Sequence, residues 1–137
     1  MKVFISHAFT DTELAKRVAQ ALRKAGFHVW DDTQVLPGEN WAEELSRALE
    51  ESDAMVVLLT PNAVSSSNIS YEVGYALGRQ EYKGRLIPVI AAPVEQFESG
   101  DIPWVFNLEQ FRVIHAANLE DNEESLKTIA QALQSVA

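Results

Sequence analysis

Apolar and polar positions along the chain change period several times, and each change marks an element. Val3, Phe4 and Ile5 form a short apolar run ending in Ser6, after which Leu14, Val18, Ala21, Leu22 and Ala25 recur at helical spacing. A strand followed by a helix is expected there. Thr10 with Glu13 reads as a capping box and Gly26 as a helix stop. FHVW (27–30) is a second strand, and DDTQVLPGEN (31–40) is a polar loop punctuated by Pro37 and Gly38. Asn40 with Glu43 starts a second helix whose Trp41, Leu45, Ala48 and Leu49 share a face and read as core.

AMVVLLT (54–60) is almost wholly apolar and rich in branched side chains, the pattern of a strand covered on both faces. The loop PNAVSSSN (61–68) leads into a third helix with Asn68 as its expected N-cap. RLIPVIA (85–91) and FRVIH (111–115) give strands four and five, and Leu126, Ile129, Ala130 and Leu133 mark a closing helix. Between those last strands, the stretch 92–110 is interrupted by Pro93, Gly100 and Pro103 and reads as irregular.

Alternating strands and helices with short loops predict an α/β fold of three layers: a five-stranded parallel sheet of order 2-1-3-4-5 with helices on both faces. At 137 residues, with 47% apolar and 23% charged positions, the chain is expected to form a single domain over 1–137 with a packed core. Pro88 lies inside strand four, where it deletes a ladder donor, so strand five is expected to pair weakly.

Composition then removes several kinds of chemistry. The chain has no cysteine, and His7, His28 and His115 stand apart from one another, so neither a cysteine nucleophile nor a metal framework is expected. A net charge of −9 opposes binding to nucleic acid or to anionic lipid. The acidic stretches 43–53 and 120–124 read as solvated helix faces and starts. With no signal-peptide pattern and no apolar run long enough to span a membrane, a soluble, cytoplasmic protein is expected.

In a sheet of this order, ligands settle in the crevice at the carboxyl ends of strands one and three, where successive helices leave on opposite faces. Its walls are SHAFTD (6–11) and TPNAVSSSN (60–68), and the second delivers Glu72 in the opening turns of its helix. Ile69, Val73, Ala76 and Leu77 form the apolar arc of that helix. Glu72 falls on the margin of the arc in a stripe with Asn68, Tyr75 and Arg79, bordering the core without entering it. An anion favoured by the helix dipole is one account of Glu72, and a catalytic carboxylate is the other.

Four segments, VFISHAFTD (3–11), VWDDTQVLPGENW (29–41), VVLLTPNAVSSSNISYEVGYALG (56–78) and LIPVI (86–90), together resemble a bacterial Toll/interleukin-1 receptor (TIR) domain. The resemblance covers nearly the whole chain, with the FISHA opening, the Pro-Gly loop and the loop-to-helix glutamate in the family's order. It implies a flavodoxin-like fold and, in the enzymatic members, cleavage of the nicotinamide–ribose bond of NAD, a substrate and not a bound cofactor. The product is ADP-ribose or a cyclic isomer used as an immune signal. By the same mapping the catalytic glutamate is Glu72, Ser6, His7 and Phe9 line the nucleotide side, and Asp32 and Tyr71 are further substrate contacts. Loop 31–40 is expected to mediate self-association or contact with other TIR domains. One departure concerns position 68, where many active members carry a tryptophan and this chain has Asn68, removing a stacking surface from the substrate-binding set. Two other functions fit the residues: a TIR-like scaffold without catalysis, and a nucleoside deoxyribosyltransferase-like enzyme, since EVGYALG (72–78) resembles that family's helix start.

Overall fold

The computed structural model describes residues 1–30, 40–63, 67–79, 82, 84–93, 96–97, 113–116 and 123–136. In chain order the elements are β1 (Lys2–Ser6), α1 (Thr12–Lys24), β2 (His28–Trp30), α2 (Trp41–Glu51), β3 (Ala54–Leu59), α3 (Ser67–Leu77), β4 (Leu86–Ile90), β5 (Ile114–His115) and α4 (Glu123–Ser135). All strand pairs are parallel, in the order β2-β1-β3-β4-β5. This is the predicted flavodoxin-like arrangement. Loop 31–39 and the core placement of the Trp41 side chain lie outside the described residues, as does most of the stretch 92–110.

Side-chain parity along the strands builds two cores. Val3 and Ile5 of β1, with Ala54, Val56 and Leu58 of β3, face α1 and α4, where Val18, Leu22, Ile129 and Leu133 close over them. Phe4 of β1 points the other way with Met55, Val57 and Leu59 of β3, and α2 and α3 cover them through Leu49, Ile69, Val73 and Ala76. All six residues of β3 are buried, as the apolar run 54–60 requires. Phe4 and Trp30, in register on β1 and β2, stack with ring centroids 5.1 Å apart.

Helix ends show where local sequence prevails and where it is overridden. Gly26 adopts φ +97°, and Gly26 N–H and Phe27 N–H donate to the carbonyls of Arg23 and Leu22, a Schellman stop for α1. Asn40 caps α2, its side chain accepting from Glu43 N–H at 3.3 Å. The Thr10–Glu13 capping box does not form. Phe9–Asp11 make a 3-10 turn, α1 starts at Thr12, and its cap residue Asp11 makes no side-chain capping bond. The reason is tertiary: the Asp11 carboxylate is engaged by Thr60, far along the chain.

Pro88 stands within β4, in register with Val57 of β3. Met55 N–H donates to the Arg85 carbonyl and Ala91 N–H to the Leu59 carbonyl, so odd-numbered residues of this stretch bond toward β3. Ala116 N–H bonds the Ile90 carbonyl, so even-numbered residues face β5. The donor missing at Pro88 therefore faces β5. Among the described residues that ladder starts just beyond it, with Val89↔Ile114 and Ile90↔His115.

The C-terminus of α2 is closed by a residue from outside the helix. The Ala48 carbonyl accepts from both the backbone N–H and the hydroxyl of Ser52, while the Leu49 carbonyl accepts from the Tyr82 hydroxyl at 2.6 Å. Tyr82 is 2% exposed, and burial holds its hydroxyl above the ordinary phenol value of 10.0. Because folding favours the neutral form, this contribution is complete below pH 10.0 and is lost as pH rises above it. Tyr82→Phe is expected to lower the unfolding free energy by about 1–3 kcal/mol, since it leaves a buried helix carbonyl without its partner. Urea denaturation checks this: the midpoint should fall at unchanged slope, and the wild type's alkaline loss of stability should be shallower in the variant. An unchanged midpoint would show that the hydroxyl does not cap the helix.

Candidate functional site

Helix α1 leaves β1 toward one face of the sheet and α3 leaves β3 toward the other. The carboxyl ends of β1 and β3 therefore open into a crevice. Ser6 is the last residue of β1 and pairs in register with Val57. It shares its parity with Phe4, so its side chain points to the face that α3 covers. There it meets Glu72: the Ser6 hydroxyl donates to Oε1 of the carboxylate at 2.7 Å.

Glu72 is 6% exposed, which corrects the placement of this acid on the margin of the core. The buried stripe of α3 is Ile69, Glu72, Val73 and Ala76, at helical positions i, i+3, i+4 and i+7, whereas Leu77 is 46% exposed. The expected apolar arc was thus turned by one position, because counting apolar residues assigns a carboxylate to the outside. A polar partner supplied by β1 reverses that assignment. Asn68 is not the N-cap either, since α3 already includes Ser67. Glu72 accordingly lies in the second turn and not the first, beyond the effective reach of the helix dipole. Of the expected stripe, Arg79 lies over the Tyr75 ring at 5.3 Å.

The other named positions distribute as follows. His7 is buried directly after β1, and its Nδ1 lies 2.8 Å from the Ala8 carbonyl, a contact in which the ring nitrogen must donate. Tyr71 is 58% exposed on α3 and stands on the solvent side of the helix that buries Glu72. Asp32 lies outside the described residues, as do the side chains of Phe9 and Asn68. The structure therefore brings Ser6 and Glu72 together, sets His7 directly after Ser6, and holds Tyr71 outward.

Two residues of the crevice were not singled out from the sequence. Thr60 follows β3, and its hydroxyl donates to Oδ2 of Asp11 at 2.5 Å while accepting from Ala63 N–H at 3.1 Å. One buried threonine thereby joins the wall after β1 to the wall after β3 and also fixes the first turn of the loop toward α3. A Thr directly ending the central apolar strand, opposite an Asp in the first loop, was the available signal. Only the three-dimensional pairing makes it legible. The resulting site is a buried carboxylate, held by a hydroxyl, in a crevice whose walls are clasped together. Such an arrangement can stabilise positive charge without a metal. Among the described residues no group of three acidic, histidine or cysteine side chains is placed to hold an ion, and no helix is long and apolar enough to cross a membrane.

Comparison with known proteins agrees with this fold. The family model described as "TIR domain" matches residues 3–134. The 2' cyclic ADP-D-ribose synthase BtTIR of Bacteroides thetaiotaomicron is 29% identical over 79 residues, which is 56% of this chain and 28% of that protein. The chain thus corresponds to well under half of that relative. Among solved structures, the TIR domain of the Toll-related receptor TRR-2 from Hydra magnipapillata superposes with a TM-score of 0.72 at 19% identity, covering 96% of this chain and 97% of that one. A metazoan TIR-STING receptor from C. gigas, solved with 2',3'-cGAMP, gives a TM-score of 0.73 at 23% identity over 96% of this chain and 38% of its own. These two likenesses concern the fold. With the family's pattern running through nearly its whole length, including both crevice walls and the helix of Glu72, the chain belongs to the TIR domain family.

Proposed function

We propose that this domain cleaves the bond between nicotinamide and ribose in NAD, with Glu72 as its catalytic group. The observation that carries the reading is the buried Glu72 carboxylate, fixed by Ser6 at 2.7 Å beside the carboxyl ends of β1 and β3. The relative named as a cyclic ADP-ribose synthase supports the substrate class.

The chemistry explains why one carboxylate suffices. In NAD the nicotinamide is a cationic pyridinium, and when the C–N bond breaks the electron pair leaves with it as a neutral ring. No proton donor is needed at the leaving group, in contrast to glycosidases, whose alkoxide leaving group demands a general acid. Positive charge grows instead on the ribose. An ionised Glu72 near the anomeric carbon stabilises that charge or holds the ribose hydroxyls in place. Ser6 keeps the carboxylate oriented through the step by donating to Oε1 at 2.7 Å. The sequence closes when water attacks the ribose, giving ADP-ribose, or when a nucleophile of the same dinucleotide attacks, giving a cyclic product. NAD is thus substrate, with no resident cofactor. Asp32 and loop 31–40 border the substrate in this reading, and the loop also joins copies of the domain.

Two substitutions test the proposal. Glu72→Ala and Glu72→Gln are each expected to lower nicotinamide release by about 10²-fold or more while the circular dichroism stays that of a folded protein. The measurement is chromatography of NAD incubated with concentrated protein, which also names the product. Turnover near the wild-type rate by folded Glu72→Ala would remove the mechanism. NAD left intact by concentrated wild type would favour the scaffold. Ser6→Ala should destabilise the fold by about 1.5–3 kcal/mol, because a buried carboxylate loses a donor, and should also slow nicotinamide release. Unchanged urea midpoint and rate together would show that the hydroxyl does not hold Glu72.

A further inference from the structure

Ladder pairing between β1 and β3 runs as far as Ser6↔Val57. Past that point the chain turns toward α1 on one side and α3 on the other, so the spacing of the crevice walls depends on what joins them there. The Thr60 hydroxyl has one hydrogen, and Asp11 takes it, with Oδ2 accepting at 2.5 Å. The same oxygen accepts from Ala63 N–H at 3.1 Å, a donor that also reaches the Thr60 carbonyl at 3.0 Å. Asp11 is anchored in turn by its backbone N–H, which donates to the Ala8 carbonyl at 2.9 Å. Ala8, Thr60 and Ala63 are buried, so both ends of the bond are set in packed chain.

Local chemistry would use Asp11 differently. It is the cap residue of α1, where an aspartate carboxylate ordinarily accepts from the first free N–H groups of its helix, and it makes no such bond. A contact that would stabilise one helix is exchanged for one to a residue 49 positions away. The exchange bears directly on the site. Segments 6–11 and 60–72 are joined at two points, by Ser6 to Glu72 and by Asp11 to Thr60. With the Ser6 contact alone, the turn after β3 and the start of α3 are free to pivot about Glu72. Held twice, the carboxylate keeps one direction relative to the β1 wall.

We propose that Thr60 is a positioning residue for nicotinamide release, acting with Asp11 through the placement of Glu72. This role rests on the reading of Glu72 as the group that stabilises charge on the ribose. Thr60 itself needs no contact with the substrate. A displacement of about 1 Å between a catalytic group and the reacting atom costs up to about 10²-fold in rate, whereas affinity for a dinucleotide is spread over many contacts and changes little. Loss of the bond therefore falls on kcat and spares KM.

Steady-state kinetics of nicotinamide release by concentrated protein, with kcat and KM resolved, test it. Thr60→Val keeps the shape of the side chain and removes the hydroxyl; it is expected to lower kcat about 10-fold or more with KM within about threefold of wild type. Thr60→Ser keeps the hydroxyl and should hold kcat within about threefold of wild type. A threonine needed only for packing would give the reverse order, with valine tolerated and serine not. Asp11→Ala removes the same bond from the other wall and should match Thr60→Val, and the double variant should be no slower than the slower single one. Circular dichroism checks the fold, and Asp11→Ala carries the test if Thr60→Val does not fold. Wild-type kcat in folded Thr60→Val or Asp11→Ala, a loss confined to KM, or Thr60→Ser as slow as Thr60→Val would overturn the proposal and leave the reading of Glu72 standing. NAD left intact by the wild type would instead remove that reading, and this role with it.

Discussion

Every residue of β3 is buried, and a strand with no solvent face must be covered by helices from both sides. That constraint sets the rest. It sends α1 and α3 to opposite faces, and where two adjacent strands part company in this way the sheet cannot close over their carboxyl ends. The crevice is thus a geometrical consequence of covering an apolar strand twice, and its lining is whatever the chain places just after β1 and β3. Here that is Ser6, His7 and Asp11 on one side and Thr60 on the other, with Glu72 brought in by α3.

The two hydrogen bonds at this point do different work. Thr60 to Asp11 joins the walls, and it withdraws Asp11 from capping α1, so the helix begins behind a 3-10 turn. Ser6 to Glu72 fixes a carboxylate among Ile69, Val73 and Ala76, a setting where an anion without a donor would be costly. The wall-joining bond ties the two sides of the crevice together, and the carboxylate bond fixes Glu72 beside it. The carboxylate bond would not be available if β1 were displaced by one residue, since Ser6 would then turn to the face of α1 and α4.

Most of the architecture was legible because it rests on local rules that tertiary contacts did not oppose. The apolar run of β3, the Gly26 stop, the Asn40 cap and the proline in β4 each acted as their chemistry dictates, and the alternation of strands and helices led to the strand order. The failures share a cause. Thr10 with Glu13 satisfies the pattern of a capping box, yet a threonine 49 residues from Asp11 competes for the helix start. On α3 the periodicity was right and its phase was wrong by one position, because Leu77 outranks Glu72 on any scale of apolarity. Only a hydroxyl arriving from another strand makes the acid the better buried residue. The crevice itself followed from topology, while the pairing of its side chains required knowing which strand faces α3.

A buried carboxylate also bears on what kind of protein this is. If α3 served only to cover the sheet, an apolar residue at position 72 would fill the stripe between Ile69 and Val73 at no cost in desolvation, and such replacements of buried charge are often neutral or stabilising. A scaffold that only binds other proteins gains nothing from a carboxyl group on α3 held against the end of β1. A catalyst of pyridinium departure gains a great deal, because the field of a desolvated carboxylate is strongest where water is excluded. The same burial that is a liability for stability is therefore the property the proposed reaction needs. The Ser6 hydroxyl serves both demands: by donating to Oε1 it offsets part of the desolvation and holds the carboxyl group beside the crevice.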